Sequence, residues 1–215
     1  FRCPFGTDGA ETDQLSIAYL QTLLSDPECG IQKPAAVIVE VVQGEGGCIP
    51  ASVNWLRALR ALTCEFDVPL IVDEVQTGLG RTGTLFAIER AGITPDILVL
   101  SKAIGGGYPL SLIVYDRKFD HWSPGVHTGT FRGNQIAMVA GSETMRIIER
   151  DGLVERANKL GGSLMDGLFQ IAQRFPVLGD VRGVGLMLGV EVINPETGGK
   201  PAPADGQLAK LIKLN

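Results

Sequence analysis

Apolar residues follow two rhythms along the chain. Leu15, Ala18, Tyr19 and Leu23 recur at helical spacing and predict a helix over 11–25 with those four on its inner face. Residues 35–42 form a small-residue and β-branched run broken only by Glu40, the composition of a strand covered on both faces. Leu56, Leu59, Leu62 and Phe66 mark a second helix. Residues 69–73 and 96–100 are two further apolar runs, and 110–115 a fourth. Apolar runs in place of strict alternation, separated by helices, predict an α/β fold. Its sheet is expected to be mainly parallel, with helices on both faces.

Beyond Asn134 the pattern changes. Ile136, Val139 and Ile147 predict a helix that breaks at Asp151-Gly152. Leu153, Ala157, Leu160, Leu164, Leu168, Ile171 and Phe175 then step by three or four, a long amphipathic helix. Residues 184–193 read as one strand, 194–206 as a Pro- and Gly-rich loop, and the last residues as the opening of another helix. The expected division is a large α/β domain over 1–150 and the start of a smaller C-terminal α/β domain over 151–215. No internal repeat is evident.

Charge and composition narrow the functional classes. Lys plus Arg number 19 against 24 Asp plus Glu, a net charge of -5, and no basic run stands out. That argues against a nucleic-acid or anionic-membrane partner. No apolar stretch approaches the roughly 18 residues needed to span a bilayer. The four cysteines, Cys3, Cys29, Cys48 and Cys64, form no Cys-x-x-Cys pair, and there are two histidines, His121 and His127. A zinc site is poorly supported, and reduced thiols in a cytoplasmic protein are expected. The chain opens on Phe1, so a preceding segment is expected. Gly makes up about 13% of the residues, where about 7% is usual, a sign of tight turns and close backbone approaches.

In parallel sheets, chemistry gathers at the carboxyl ends of strands. Three apolar runs here end in polar residues. One leads through Glu40 into Gln43-Gly44-Glu45-Gly46-Gly47, one into Asp73-Glu74-Val75-Gln76, and one into Ser101-Lys102 followed by Gly105-Gly106-Gly107. Taken singly, each has a plain structural reading. An Asp after a strand caps a helix, a Lys after a strand sits in solvent, and a Gly triplet makes a turn. Together they bring a carboxylate, an amide and an amine to one sheet edge. That set matches pyridoxal 5'-phosphate (PLP) chemistry. Lys102 offers the amine for covalent attachment of the coenzyme aldehyde. Asp73 offers the carboxylate that keeps the pyridine nitrogen protonated. Gln76 offers a donor to the phenolic oxygen. A P-loop reading fails, because the glycines follow Lys102 instead of preceding it.

Asp73-Glu74-Val75-Gln76-Thr77-Gly78-Leu79-Gly80-Arg81-Thr82-Gly83, then Pro95-Asp96, Ser101-Lys102 and the glycines, resembles the class III aminotransferases of PLP fold type I. Glu40-Val41-Val42-Gln43-Gly44-Glu45-Gly46-Gly47 is the matching upstream motif, and the likeness runs over essentially the whole chain. Within the family, His127-Thr128-Gly129-Thr130-Phe131-Arg132-Gly133-Asn134, the opening Phe1-Arg2-Cys3-Pro4-Phe5-Gly6 and Trp55-Leu56-Arg57 resemble the members acting on diaminobutyrate and 2-oxoglutarate. Gln76 argues against the glutamate-semialdehyde aminomutases, which usually carry Met there.

The resemblance implies further roles. Thr130 matches the threonine that reaches a partner subunit's coenzyme phosphate, so a homodimer or larger is expected. Arg182 matches the arginine that binds the substrate α-carboxylate, and Glu45 the glutamate that pairs with it when a substrate enters by its far amine. Glu40 is expected near the coenzyme. Members of the family are longer than this chain. Their phosphate-binding loop and ring-stacking aromatic residue lie upstream, so an internal segment is expected, without assured activity of its own. The implied activity forms L-2,4-diaminobutyrate from aspartate 4-semialdehyde with glutamate as donor, by ping-pong kinetics. The alternatives are an ω-aminotransferase for ornithine, 4-aminobutyrate or acetylornithine, or a folded segment without coenzyme.

Overall fold

The computed structural model of the protein describes residue 7, residues 9–197 and residues 204–214. The motif over residues 1–6, with Cys3, and part of the loop over 194–206 lie outside the described residues. The helix expected at 11–25 is α1, Gly9–Ser25. Its inner face is not the one the spacing suggested. Leu15 and Tyr19 are 42% and 57% exposed, while Ile17 and Leu20 pack on the core. Two apolar stripes fit the same helical period, and polar anchors choose between them. The Ser52 hydroxyl donates to Asp13, and the Trp55 indole donates to Ser16 Oγ at 3.1 Å. Both partners belong to helix α2, Val53–Glu65, or to its cap: Ser52 Oγ accepts from the Trp55 amide at 3.0 Å.

The central sheet has strands β1 (Val37–Glu40), β4 (Leu70–Asp73), β5 (Ile97–Leu100) and β6 (Leu112–Tyr115), side by side in that order. β1, β4 and β5 are parallel, and β6 closes the edge antiparallel. Between β1 and α2 a small hairpin, β2 (Val42–Gln43) and β3 (Ile49–Pro50), encloses a glycine-rich turn. Val41, Val42, Leu56, Leu59, Leu70 and Val72 form the buried core. Burial on both faces, expected of the first strand, does not hold: Ile38 is 63% exposed. β1 is an edge strand here, so only its inward face is packed.

Helices α3 (Gln135–Arg150) and α4 (Leu153–Arg174) follow, separated by Gly152 in the left-handed region. The residues that announced α3 mostly face outward, with Ile136 and Val139 at 63% and 70% exposure. Its buried residues are Ala137, Gly141 and Ile148. The single strand read over 184–193 is in fact an antiparallel hairpin, β7 (Leu178–Val184) and β8 (Met187–Val192). Its turn sits at Gly185-Leu186, with Gly185 at φ 56°. The turn wedges between α4 and the loop after β4: Leu186 N donates to the Arg81 carbonyl at 2.9 Å. On α4, a Cβ at Gly161 would overlap the Gly185 backbone. Met187 thereby joins the same core as β4 and α2. A short helix α5, Gly206–Leu214, ends the described chain.

Asp96, 6% exposed at the start of β5, ties the sheet together. It accepts from Arg60 on α2, from Lys118 at 2.6 Å and from the Leu70 amide at 3.0 Å. Burial alone would raise its pKa, but these partners outweigh it and hold the carboxyl at about 2, below 3.8. A depressed folded pKa means stability present above 3.8 and lost as pH falls toward 2. Acid titration of urea unfolding should show about 2 kcal/mol lost in that window. Asp96→Asn should remove that pH dependence and cost about 2–3 kcal/mol at neutral pH. An unchanged acid limb in the variant would assign the loss to other carboxylates.

Candidate active site

The parallel register sets the carboxyl ends of three strands level. Glu40 pairs with Asp73, and Asp73 with Val99. Asp73 Oδ1 accepts from the Val75 amide at 2.9 Å, which turns the chain off the strand. Glu74 fixes the next turn. It is 1% exposed, and its carboxylate accepts from the Thr77 hydroxyl and from the Ile88 amide at 2.9 Å. Burial pushes its pKa up, and the Thr77 hydroxyl and the Ile88 and Ala87 amides act against that. This staple clamps the loop over 74–77 to the short helix Ala87–Ala91 and so fixes the backbone that carries Gln76.

Lys102 follows β5. Its φ of 51° lies in the left-handed region that β-carbon residues rarely enter. Ser101 anchors the segment by donating to the Leu110 carbonyl at 3.0 Å. Helix α3 presses on it from the side, where Gly141 leaves no room for a Cβ against the Ile104 carbonyl. So held, Lys102 Nζ donates to Gln76 Oε1 at 3.3 Å. On the other side of Gln76 stands Gly44, where a Cβ would overlap the Gln76 amide oxygen. The Gly44 amide in turn donates to Glu40 Oε2 at 2.8 Å. Glu40, Gly44, Gln76 and Lys102 thus form one contact chain along the sheet edge, with Asp73 beside Glu40 in the register.

The edge opens into a cleft of about 600 Å³, lined among others by Cys48, Gln76, Leu79, Arg81, Lys102 and Leu188. Among the described residues, four non-glycine residues have left-handed φ: Cys48, Asp67, Leu79 and Lys102. Three of them line this cleft. Backbone strain gathers where the surrounding structure holds functional groups in place.

Arg182 comes from β7. Its Nε donates to the Gly47 carbonyl at 2.9 Å, and its Nη1 to Asp180 Oδ2 at 2.7 Å. Glu45 lies exposed in the same glycine-rich turn. Thr130 stands apart, exposed in the loop before α3. The sequence reading assigned no role to Glu74 or Asp180. Burial identifies Glu74, and the motif gave no sign of it. Asp180 carried a signal: it is two residues before Arg182, hence on the same face of a strand. Placing the strand start at Val184 hid it.

The Lys102 amine in contact with the Gln76 amide, with the Asp73 carboxylate at the end of the neighbouring strand, suits the aldehyde, the phenolic oxygen and the pyridine nitrogen of PLP. The residues present therefore fit that coenzyme.

The class-III aminotransferase family model matches residues 7–210. A diaminobutyrate–2-oxoglutarate aminotransferase of Rhizobium meliloti is 59% identical over 99% of this chain and 46% of its own length. One of Haemophilus influenzae is 42% identical over 99% of this chain and 48% of its own. The chain thus spans about half the length of the curated relatives it matches. Among solved structures, an amine transaminase from an uncultivated Pseudomonas species in its PLP-bound form superposes with a TM-score of 0.87 at 30% identity. That match covers 98% of this chain and 49% of the other.

The contact between Gly141 and the Ile104 carbonyl yields a test of how the site is held. Gly141→Ala should force α3 and the Lys102 segment apart. Such overpacking costs about 1–3 kcal/mol. Urea unfolding should show the loss, and the full-length variant should retain less PLP after dialysis. Normal stability with normal PLP retention would mean that α3 does not position Lys102.

Proposed function

This chain belongs to the class III aminotransferases, and from that premise we propose that the full-length protein is a PLP-dependent diaminobutyrate–2-oxoglutarate transaminase. It takes the amino group of glutamate, releases 2-oxoglutarate, and passes the amine to aspartate 4-semialdehyde to form L-2,4-diaminobutyrate. The observation that carries the reading is the Lys102 amine 3.3 Å from the Gln76 amide oxygen at the carboxyl edge of β4 and β5. The 59% identity to a relative of that activity over 99% of the chain supports the choice of substrate.

The coenzyme, when bound, supplies an electron-withdrawing ring that carries the amino group between the two substrates. Lys102 anchors it and, once released, moves the proton at the substrate's reacting carbon as a general base. Asp73 holds the proton on the ring nitrogen by charge pairing. Gln76 orients the ring through its phenolic oxygen, and Glu40 borders the same edge. Arg182 binds the α-carboxylate of glutamate, for which its planar fork is suited. Diaminobutyrate reacts at its distal amine, away from its carboxylate, and Glu45 then offers Arg182 a counter-charge.

Thr130 is assigned to a partner subunit's coenzyme phosphate in a homodimer or larger assembly. Its neighbours Phe131, Ile136 and Val139, at 87%, 63% and 70% exposure, support a covering subunit. We keep the division into a PLP-binding domain over 1–150 and a second domain over 151–215. Gly152, left-handed between α3 and α4, supports that boundary. A cytoplasmic site is proposed as well. Among the described residues no helix is long and apolar enough to cross a membrane.

Borohydride reduction of the PLP-loaded full-length protein, followed by peptide mapping, should mark Lys102. Lys102→Ala should abolish that mark and nearly all transamination. A mark on a different lysine would overturn the assignment. Comparing diaminobutyrate with ornithine, 4-aminobutyrate and acetylornithine as donors to 2-oxoglutarate tests the substrate, and faster turnover of any of the last three would displace diaminobutyrate.

The two carboxylate-dependent roles separate by half-reaction. Single-turnover rates should fall more for diaminobutyrate than for glutamate in Glu45→Ala. Arg182→Ala should show the reverse. Equal losses in both halves for the Glu45 variant would make Glu45 a structural residue.

A further inference from the structure

We infer that Glu74 is a positioning residue for the coenzyme, acting through Thr77 and the backbone of Gln76. The inference rests on the reading of Gln76 as the group that meets the coenzyme's phenolic oxygen. It concerns a buried side chain that is directed away from the cleft, at the short helix Ala87–Ala91.

Three observations carry it. First, Glu74 is bonded at four points. Its amide donates to the Val99 carbonyl at 2.9 Å, on the strand that leads to Lys102. Its carbonyl accepts from the Gly78 amide at 3.0 Å. A Cβ at Gly78 would stand only 2.8 Å from that oxygen, so the turn closes this tightly because residue 78 is Gly. Of the carboxylate oxygens, Oε1 accepts from the Ile88 amide at 2.9 Å and Oε2 from the Thr77 hydroxyl. Residues 75–77 are thus enclosed, and Gln76 sits at their centre. Second, the far end of the clamp is fixed. Ala87, Ile88 and Ala91 are buried in the main core with β4 and α2. Third, two consecutive acids hold the two neighbours of Gln76. Asp73 Oδ1 accepts from the Val75 amide at 2.9 Å, and Glu74 from Thr77.

This backbone hold matters because the Gln76 side chain has a partner that must leave. Its oxygen accepts from Lys102 Nζ at 3.3 Å. Once Lys102 serves the coenzyme, that bond is lost, and the aim of Gln76 depends on the loop that carries it. The same requirement accounts for a buried carboxylate whose donors are a hydroxyl and backbone amides. Such burial is costly, and an apolar side chain would fill the space at less cost. An apolar side chain could not hold Thr77 and Ile88 together.

The test uses the full-length protein stripped of PLP and titrated with it. Two quantities are read: the dissociation constant of PLP and the absorption maximum of the bound coenzyme, which reports on its phenolic oxygen. Glu74→Ala and Thr77→Val should each weaken PLP binding roughly fivefold to tenfold, the scale of one hydrogen bond. Both should move the absorption maximum in the same direction as Gln76→Ala. Thr77→Ser keeps the hydroxyl and should restore both values. In the Gln76→Ala background, Thr77→Val should move the maximum no further, since its effect passes through Gln76. If Glu74→Ala fails to fold, the two Thr77 variants, which leave the carboxylate in place, carry the same comparison. A lowered unfolding midpoint of the PLP-free variants with an unchanged maximum would make the clamp purely structural and overturn the proposal. So would an equal shift with and without Gln76. If Gln76→Ala itself leaves affinity and maximum unchanged, the reading of Gln76 fails and the proposal falls with it. That outcome is told apart from the others by the single Gln76 variant.

Discussion

Parallel pairing of β1, β4 and β5 is the constraint on which the rest depends. Strands that run the same way end on the same side, and their register here sets Glu40, Asp73 and Val99 level. The backbone hydrogen bonds of the sheet therefore decide which polar groups meet before any side chain is placed. The loops beyond the strand ends need only short turns to bring Gln76 and Lys102 within 3.3 Å. The price of that convergence is local strain, visible in the left-handed backbone at Lys102, Leu79 and Cys48. It is held in place by buried polar bonds such as those of Glu74 with Thr77 and Ile88.

Around this edge, elements approach each other backbone to backbone. α3 meets the Lys102 segment at Gly141, and α4 meets the hairpin turn at Gly161. Contacts this close require small residues and exclude large apolar ones. That explains why Ala137, Gly141, Ala157 and Gly161 are buried while Leu160, Leu164 and Ile136 remain exposed. The hairpin turn in turn fixes Met187 in the main core, so β8 and the sheet share one hydrophobic cluster.

Much of this was legible in the sequence, and the reason is chemical contrast. β4 and β5 are apolar runs that end abruptly in polar residues, so both the strands and the site at their ends stood out. Asp73, Gln76 and Lys102 fall there together. The inner faces of α1 and α3 were not legible, because a helical period allows two stripes and only tertiary contacts choose one. Ser16 and Asp13, which make that choice for α1, carry no apolar signal at all. The hairpin was misread as a single strand because Gly179, Asp180 and Gly183 interrupt its first arm. Those same residues allow the bulge near Asp180 and the close fit of the second arm. Glu74 could not be singled out, since a buried carboxylate looks no different in sequence from an exposed one.

The placement of Arg182 shows how the C-terminal hairpin is locked to the glycine-rich turn. An arginine only 16% exposed faces a desolvation penalty of several kcal/mol if it is left without partners. Two elements supply them. Asp180 sits on the same strand as Arg182 and is bonded to it. The Gly47 carbonyl, in the turn between β2 and β3, holds the other side of the guanidinium. Close approaches enforce the fit: a Cβ at Gly189 would come within 2.9 Å of that carbonyl, and one at Gly44 would overlap the Gln76 amide oxygen. The turn therefore ties the hairpin of β7 and β8 to the sheet edge that carries Gln76 and Lys102.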